Sequence, residues 1–339
     1  MTYEGARGKT ASEIISVFNF PQDNNARRIA FNSIYTDLNK KNKKYQLSTA
    51  NALWTQDKYV FLENYLSMVD KYYGGKATNL DFVSDPENSR IKINNWIADK
   101  TNNKIQNLLP SGTITPLTRL ILTNAIYFKG LWEKSFDKKN TQNEDFNITP
   151  QKIIQVQTMS QQGTFNYAET DKLQILEIPY SGEKLSMLLV LPKNNDLKSV
   201  EKIINETSLV KWKNMLETET VKMFIPRFKL ETKYFMADDL KSLGMPTAFS
   251  KNADFSGMTG SKDLDISQVI HQAFVDVNEE GTEAAAATAV QMQLLTARYG
   301  EPEKKEIIKI FRADHPFIFI VQDQTNGNIL FLGRVIDPQ

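Results

Sequence analysis

The sequence predicts one mixed α+β domain, and three observations carry that reading. Helix-type spacing dominates the first third, long apolar runs take over after residue 118, and two pairs of such runs flank short Gly-bearing connections. Residues Ala11 to Phe20 and Asn24 to Leu38 repeat apolar side chains at helical intervals and end in Pro21 and in Asn39-Lys40, predicting two helices. Gln46 to Trp54 reads as a strand, Lys58 to Tyr73 as a helix, and Ser89 to Leu109 as a long amphipathic helix stopped by Pro110-Ser-Gly. The apolar run Thr118 to Phe128 is rich in Ile and Leu, as expected for a strand buried on both faces in mid-sheet. Leu173 to Tyr180 and Lys184 to Leu191 flank Ser181-Gly182-Glu183 and predict a hairpin. Thr220 to Lys229 adds a strand after two short helices. His315 to Gln322 and Asn328 to Val335 form a second hairpin around residues 323–327. No repeat, linker or compositional break divides the 339 residues, so a single domain over 1–339 is the simplest account.

Composition excludes several function classes. With 41% apolar residues the chain can fill a sizeable core, and 41 basic against 40 acidic residues leave a formal charge of +1. No overall field therefore draws it to nucleic acid or an anionic membrane, and no run approaches the roughly 20 apolar residues that cross a bilayer. The polar start, Met1 to Lys9, does not read as a signal peptide. Zero cysteines remove disulfides, thiolate metal sites and cysteine nucleophiles. A zinc site or Ser-His-Asp triad would need His271 or His315, the only two histidines. The common hydrolase, nucleotide-binding and metalloprotease motifs are absent from the sequence, so no metal or cofactor is expected and the chain does not read as an enzyme.

Residues 278–304 do not fit the pattern around them. By composition the run after Gly281 equally suits an alanine-rich helix. Gly281 and two threonines interrupt it, however, no apolar face would dock such a helix, and it ends in a charged Tyr-Gly-Glu-Pro-Glu-Lys stretch. These features predict a long exposed loop, and loops longer than about 15 residues within a compact domain are usually functional.

Val277-Asn-Glu-Glu-Gly-Thr-Glu-Ala-Ala-Ala-Ala-Thr-Ala-Val290 resembles the hinge of an inhibitory serpin. Leu122-Thr-Asn-Ala-Ile-Tyr-Phe-Lys-Gly-Leu-Trp132, Ala253-Asp-Phe-Ser-Gly-Met258, His271-Gln-Ala-Phe, Asp314-His-Pro-Phe-Ile-Phe and Phe331-Leu-Gly-Arg-Val are similar to further serpin signatures, in the family's order. The resemblance covers nearly the whole chain. It implies a fold of three β-sheets and about eight helices, with a reactive-centre loop over about 281–305 held away from the body. It also implies an inhibitor of serine proteases that acts as a suicide substrate: the protease cleaves the loop, and the freed hinge enters the central sheet while the protease is still acylated. Insertion of a serpin loop is one of the standard examples of a switch that releases stored strain. Glu4-Gly-Ala-Arg-Gly-Lys-Thr is similar to the turn into the family's third helix, so the first two helices are expected to be missing from this chain.

A strand entering a packed sheet needs small side chains. Thr282, Ala284, Ala286 and Thr288 fall on one face at period two, with Gly281 as pivot and Glu279 at the start of the hinge. Counting Gly281 as the first of fifteen residues places the last at Leu295, so the scissile bond is Leu295–Thr296. A leucine there suits the apolar pocket of chymotrypsin-, elastase- or subtilisin-like proteases. The rival bond, Arg298–Tyr299, would suit a trypsin-like enzyme but lengthens the loop by three residues.

Other residues are carried over by resemblance. Asn124 and His271 resemble the buried polar pair of the shutter, and Trp132 the breach tryptophan, near which Arg227 pairs with Glu279 unless that pair is a plain surface one. Arg27, Arg28 and Lys40-Lys41-Asn-Lys43-Lys44 fall near a helix that binds glycosaminoglycan in some members, although a solvated turn is the preferred reading. The expected partner is a serine protease in a covalent acyl complex, and a monomer is expected. The family favours an extracellular location.

Overall fold

The computed structural model describes residues 1–40, 44–182, 184–282 and 307–339. The first elements are α1 (Thr2–Gly5), α2 (Gly8–Phe18), α3 (Asn24–Leu38), β1 (Tyr45–Gln56), α4 (Glu63–Tyr73), β2 (Lys76–Leu80), α5 (Pro86–Lys100) and β3 (Leu120–Leu131). Then come β4 (Gln142–Thr149), β5 (Lys152–Glu169), β6 (Leu173–Pro179), β7 (Leu185–Pro192), α6 (Leu197–Glu201), α7 (Glu206–Asn214), β8 (Glu217–Pro226) and β9 (Phe228–Phe235). The last are α8 (Ala237–Ser242), α9 (Ser256–Thr259), β10 (Gln268–Asn278), β11 (Gly281–Thr282), β12 (Lys309–Arg312), β13 (Phe317–Asp323) and β14 (Ile329–Val335). The chain forms two compact units, one of Met1–Asn42, Gln46–Phe128 and Glu231–Phe274, the other of Lys43–Tyr45, Lys129–Leu230 and Val275–Gln339.

In the first unit, local chemistry sets the helix ends. Asn19 adopts φ 50° and closes α2, and the Asp23 carboxylate accepts the N–H groups of Asn25 and Ala26 to start α3. The predicted helix Ser89 to Leu109 stops at Lys100. There the Thr101 hydroxyl donates to the Ile97 carbonyl at 2.8 Å, and Asn102 and Asn103 turn to φ 51° and 60°. Both asparagines tolerate the left-handed region, so the backbone reverses although the apolar spacing continues. Asn94 clamps the segment beyond this turn: its amide donates to the Leu109 carbonyl and its oxygen accepts the Leu109 N–H, both at 2.9 Å. Ile105, Leu108 and Leu109 thereby reach full burial beside Ile93 and Ile97 without being helical.

The strands of this unit run in the order β2, β1, β3, β10, β9. β3 lies between β1 and β10 and pairs with β10 in parallel, from Ile121 opposite Gln268 to Tyr127 opposite Phe274. It is central, as predicted, but only one face is fully buried. Ile121, Ala125 and Tyr127 pack into the cluster with α5, whereas Leu122, Asn124 and Ile126 are half-buried. Asn124 in mid-strand is the polar residue that marks this second face.

In the second unit the order is β12, β8, β5, β6, β7, β13, β14, with β4 also on β5. Both predicted hairpins are present as antiparallel pairs, β6 with β7 and β13 with β14. The 18-residue β5 pairs with β4 over its first part, with β8 over its middle and with β6 at its end. One strand thus serves groups that would otherwise stand apart, so the described strands form two hydrogen-bonded sheets where the resemblance implied three. Ile175, Leu188, Val190, Ile318 and Ile320 fill the core of this sheet against Trp212 of α7.

Replacing Asn94 with Ala leaves the buried Leu109 N–H unpaired and its carbonyl to Arg90 alone, and should cost about 1–3 kcal/mol in urea unfolding followed by circular dichroism. Asn94→Asp keeps the acceptor and should recover part of the loss. Equal stability of Asn94→Ala and the parent would show that the clamp is dispensable.

Candidate functional site

The predicted hinge begins in a turn of the second unit. β10 ends at Asn278, the chain reverses through Glu279 and Glu280, and β11 returns antiparallel with Gly281 opposite Asn278 and Thr282 opposite Val277. On its other edge β11 meets β3, Gly281 opposite Leu131 and Thr282 opposite Gly130. A Cβ on Gly281 would lie 2.0 Å from the Gly130 carbonyl oxygen and 2.8 Å from the Leu131 Cα, with φ at 151°. Backbone contact therefore requires glycine here, a stronger reason than the conformational freedom read from the sequence.

Several side chains hold this turn, among them Lys138, whose ammonium donates to Glu280 Oε1 at 2.7 Å. The Trp132 indole donates to the Asn278 carbonyl at 3.0 Å, and its backbone N–H to the Glu280 carbonyl at 2.9 Å. Trp132 stacks on Tyr180, ring centroids 4.6 Å apart, and the Tyr180 hydroxyl meets the Thr282 hydroxyl at 2.6 Å in a fully buried contact. The Arg227 guanidinium donates to Glu279 Oε1 at 2.8 and 2.5 Å, and Thr141 donates to the same oxygen at 2.5 Å. The Arg227–Glu279 pair read from the sequence is thus formed, and it is not a plain surface pair, since the Glu279 side chain is 1% exposed. Burial pushes the Glu279 carboxyl up, but the Arg227 and Thr141 hydrogen bonds outweigh it and hold it below its ordinary value. Tyr180 and Thr141 escaped the sequence reading, because nothing local marks either as a partner of residues more than 100 positions away.

Asn124 and His271 stand opposite each other in the first unit, on β3 and β10. His271 Nδ1 lies 2.5 Å from Asn124 Oδ1, the Asn124 amide donates to Asn51, and the imidazole ring lies parallel to that of Tyr234. The pair is half-buried, not buried as expected, because it occupies the less covered face of the sheet. Burial lowers the His271 pKa, with the Asn124 hydrogen bond opposing. The second histidine behaves oppositely. His315 meets the Asp314 carboxylate at 2.7 Å and the Pro192 carbonyl at 2.5 Å, and these two acceptors raise its pKa against the effect of burial.

Arg27 and Arg28 do not form a free basic face. Arg27 is 1% exposed and donates to Glu4 at 2.9 Å, Arg28 donates to the other Glu4 oxygen at 2.7 Å, and the Tyr73 hydroxyl adds a third partner. The buried Arg27 thus departs from the preferred reading of a solvated turn, and both guanidiniums share the single Glu4 carboxylate. Lys41 and Lys43 lie outside the described residues, as do Ala284, Ala286, Thr288, both scissile pairs (Leu295–Thr296 and Arg298–Tyr299) and the rest of the 281–305 loop beyond Thr282.

The titrating groups give opposed pH effects. His271, lowered from 6.5, contributes stability above that value that is lost as pH falls through the shifted pKa; His315, raised from 6.5, contributes below it and loses it as pH rises. Melting temperatures between pH 7.5 and 5.5 should therefore rise on acidification in His271→Gln relative to wild type, and fall in His315→Gln. Below pH 4.5 the wild type should lose the Glu279 contribution while Glu279→Gln does not. Parallel pH profiles for all four proteins would refute these assignments.

Comparison with known proteins places this geometry. The family model described as serpin (serine protease inhibitor) matches residues 1–338. An uncharacterized serpin-like protein of the archaeon Methanosarcina acetivorans is 44% identical over 338 residues, 99% of this chain and 78% of that protein. Serpin B6 of Pongo abelii is 42% identical over 346 residues, covering 100% of this chain and 90% of the relative. Among solved structures, human thyroxine-binding globulin complexed with thyroxine superposes with a TM-score of 0.89 at 28% identity, over 100% of this chain and 88% of that one. The chain belongs to the serpin family.

Proposed function

We propose that this serpin inhibits a serine-type endopeptidase as a suicide substrate, and that it is not itself an enzyme. The observation that carries the reading is the register of β11. Thr282 sits opposite Val277 and Gly130, and β3 and β10 pair directly from Tyr127 and Phe274 onward. Continuing this register into the sequence sets Ala284 opposite Val275 and Phe128, Ala286 opposite Ala273 and Ile126, and Thr288 opposite His271 and Asn124. Every residue on that face is small. On the other face Ala285, Ala287 and Ala289 would meet the cluster beneath α5. A cleaved loop could thus add a strand by parting β3 from β10, exchanging one set of ladder bonds for two.

The chemistry is that of an interrupted acyl transfer. The protease serine attacks the Leu295 carbonyl, the bond to Thr296 breaks, and the Thr296 amine leaves with the C-terminal peptide. Insertion then carries the Leu295 acyl-enzyme ester away before water reaches it. Cleavage at Arg298–Tyr299 is the alternative, with a trypsin-like target. A carrier or chaperone role is the second reading, kept because the superposing globulin is described with bound thyroxine.

Incubation with chymotrypsin should give an SDS-stable complex and release residues 296–339, identified by mass. Thr288→Arg, which forces a charge against the Asn124–His271 pair, should abolish the complex while leaving cleavage intact, and Leu295→Arg should move the reaction to trypsin. Cleavage without any complex across a panel of serine proteases would remove the inhibitor reading and favour the carrier. A nicked protein that melts no higher than the intact one would remove insertion.

A further inference from the structure

Next to the hinge anchors, in the second unit, lies a cleft of about 240 Å³ walled by Phe165, Asn166, Pro179 and Thr218, with Glu133 exposed at its rim. Glu177 also lines it and is 8% exposed. All its hydrogen-bond donors are neutral. The Ser186 hydroxyl and the Gln322 amide donate to Oε1 at 2.8 and 3.1 Å, and the Asn166 amide donates to Oε2 at 2.9 Å. Among the described residues no lysine or arginine forms an ion pair with Glu177 or Glu133. Asn166 and Glu177 both line the cleft, and a carboxylate oxygen holding one amide hydrogen, as Oε2 does, retains capacity for another donor. Buried carboxylates are normally matched by a cation, as Glu4 is here by Arg27 and Arg28.

We propose that this cleft binds a small organic cation bearing a guanidinium or primary ammonium group. Its N–H donates to Glu177 Oε2, Glu133 adds a second negative charge at the mouth, and the alkyl part lies against Phe165 and Pro179. The Lys134 ammonium already stands 5.8 Å from the Phe165 ring centroid, so the ligand's charge is directed to the two carboxylates and only its alkyl part meets that ring. A hard metal ion fits poorly, since such ions take about six or more oxygen ligands, often several carboxylates, and no group of three metal-ligating side chains occurs among the described residues. The walls are continuous with the hinge anchors. Glu133 follows Trp132 and donates its N–H to the Pro179 carbonyl at 3.0 Å, and Tyr180 follows Pro179, so an occupant should perturb the Trp132–Tyr180 stack.

The test is titration of the whole chain with ethylguanidinium and with its neutral isostere ethylurea, read by tryptophan emission and by amide NMR shifts near Asn166 and Glu177. Saturable binding on the order of millimolar is expected for the cation and none for the urea. Glu177→Gln should weaken it about tenfold, the scale of one charge-assisted hydrogen bond, and the exposed Glu133→Gln by about twofold without changing the melting temperature. If Glu177→Gln does not fold, Glu133→Gln and the salt dependence of binding decide. Equal responses to cation and urea, or binding that is unchanged in Glu133→Gln and insensitive to salt, would overturn the proposal. Protease inhibition is not part of the readout, so failure here leaves the inhibitor reading untouched.

Discussion

The structure depends on how β3 and β10 share their edges. Along most of their length the two strands pair directly in parallel, and at one end two residues of β11 stand between them. Each strand end bonded to β11 has given up its former neighbour for a strand supplied by the same chain. That exchange is possible only because Gly281 carries no Cβ, since any side-chain atom there would overlap the Gly130 carbonyl. This point of the fold is thus fixed by a backbone contact, and the surrounding side chains support it.

Those supports explain why a four-residue reversal between strands can be so well buried. A turn exposes peptide carbonyls with no ladder partner, and each would be costly to bury unpaired. Trp132 and Phe136 supply N–H groups to the Glu280 and Glu279 carbonyls, and the Trp132 indole covers Asn278. The charge of Glu279 is handled similarly: one oxygen gathers Arg227 and Thr141, so the ion is solvated by protein where water is excluded. With Arg227 itself partly exposed, the pair adds specificity of position more than net stability.

Charge elsewhere is arranged in closed groups. Glu4 accepts from two arginines and a tyrosine, and His315 lies between a carboxylate and a carbonyl. This is why a net charge of +1 hides strongly ordered electrostatics. Against that background the neutral surroundings of Glu177 stand out, because the same chain shows how it treats a buried carboxylate when it supplies the counter-charge itself.

Much was legible in the sequence. The hairpins β6–β7 and β13–β14, the helix α3 and the central position of β3 follow from period and turn chemistry, which act over a few residues and need no partner. Gly281, Glu279 and Arg227 could be named from their resemblance to a known hinge. The strands β4 and β5 are not marked in the sequence because their alternation is broken: Ile153 is exposed while Thr158 is buried. Helix α5 was drawn too long because apolar spacing continues past Lys100, and only the tertiary clamp of Asn94 on Leu109 shows that the same residues are buried by a loop. The sequence by itself therefore determined the elements and the small-residue hinge, since those are written in local pattern. Tertiary structure alone decided which strands became neighbours, which carboxylates found a cation and where Gly281 had to be glycine, because each depends on atoms brought together from distant parts of the chain.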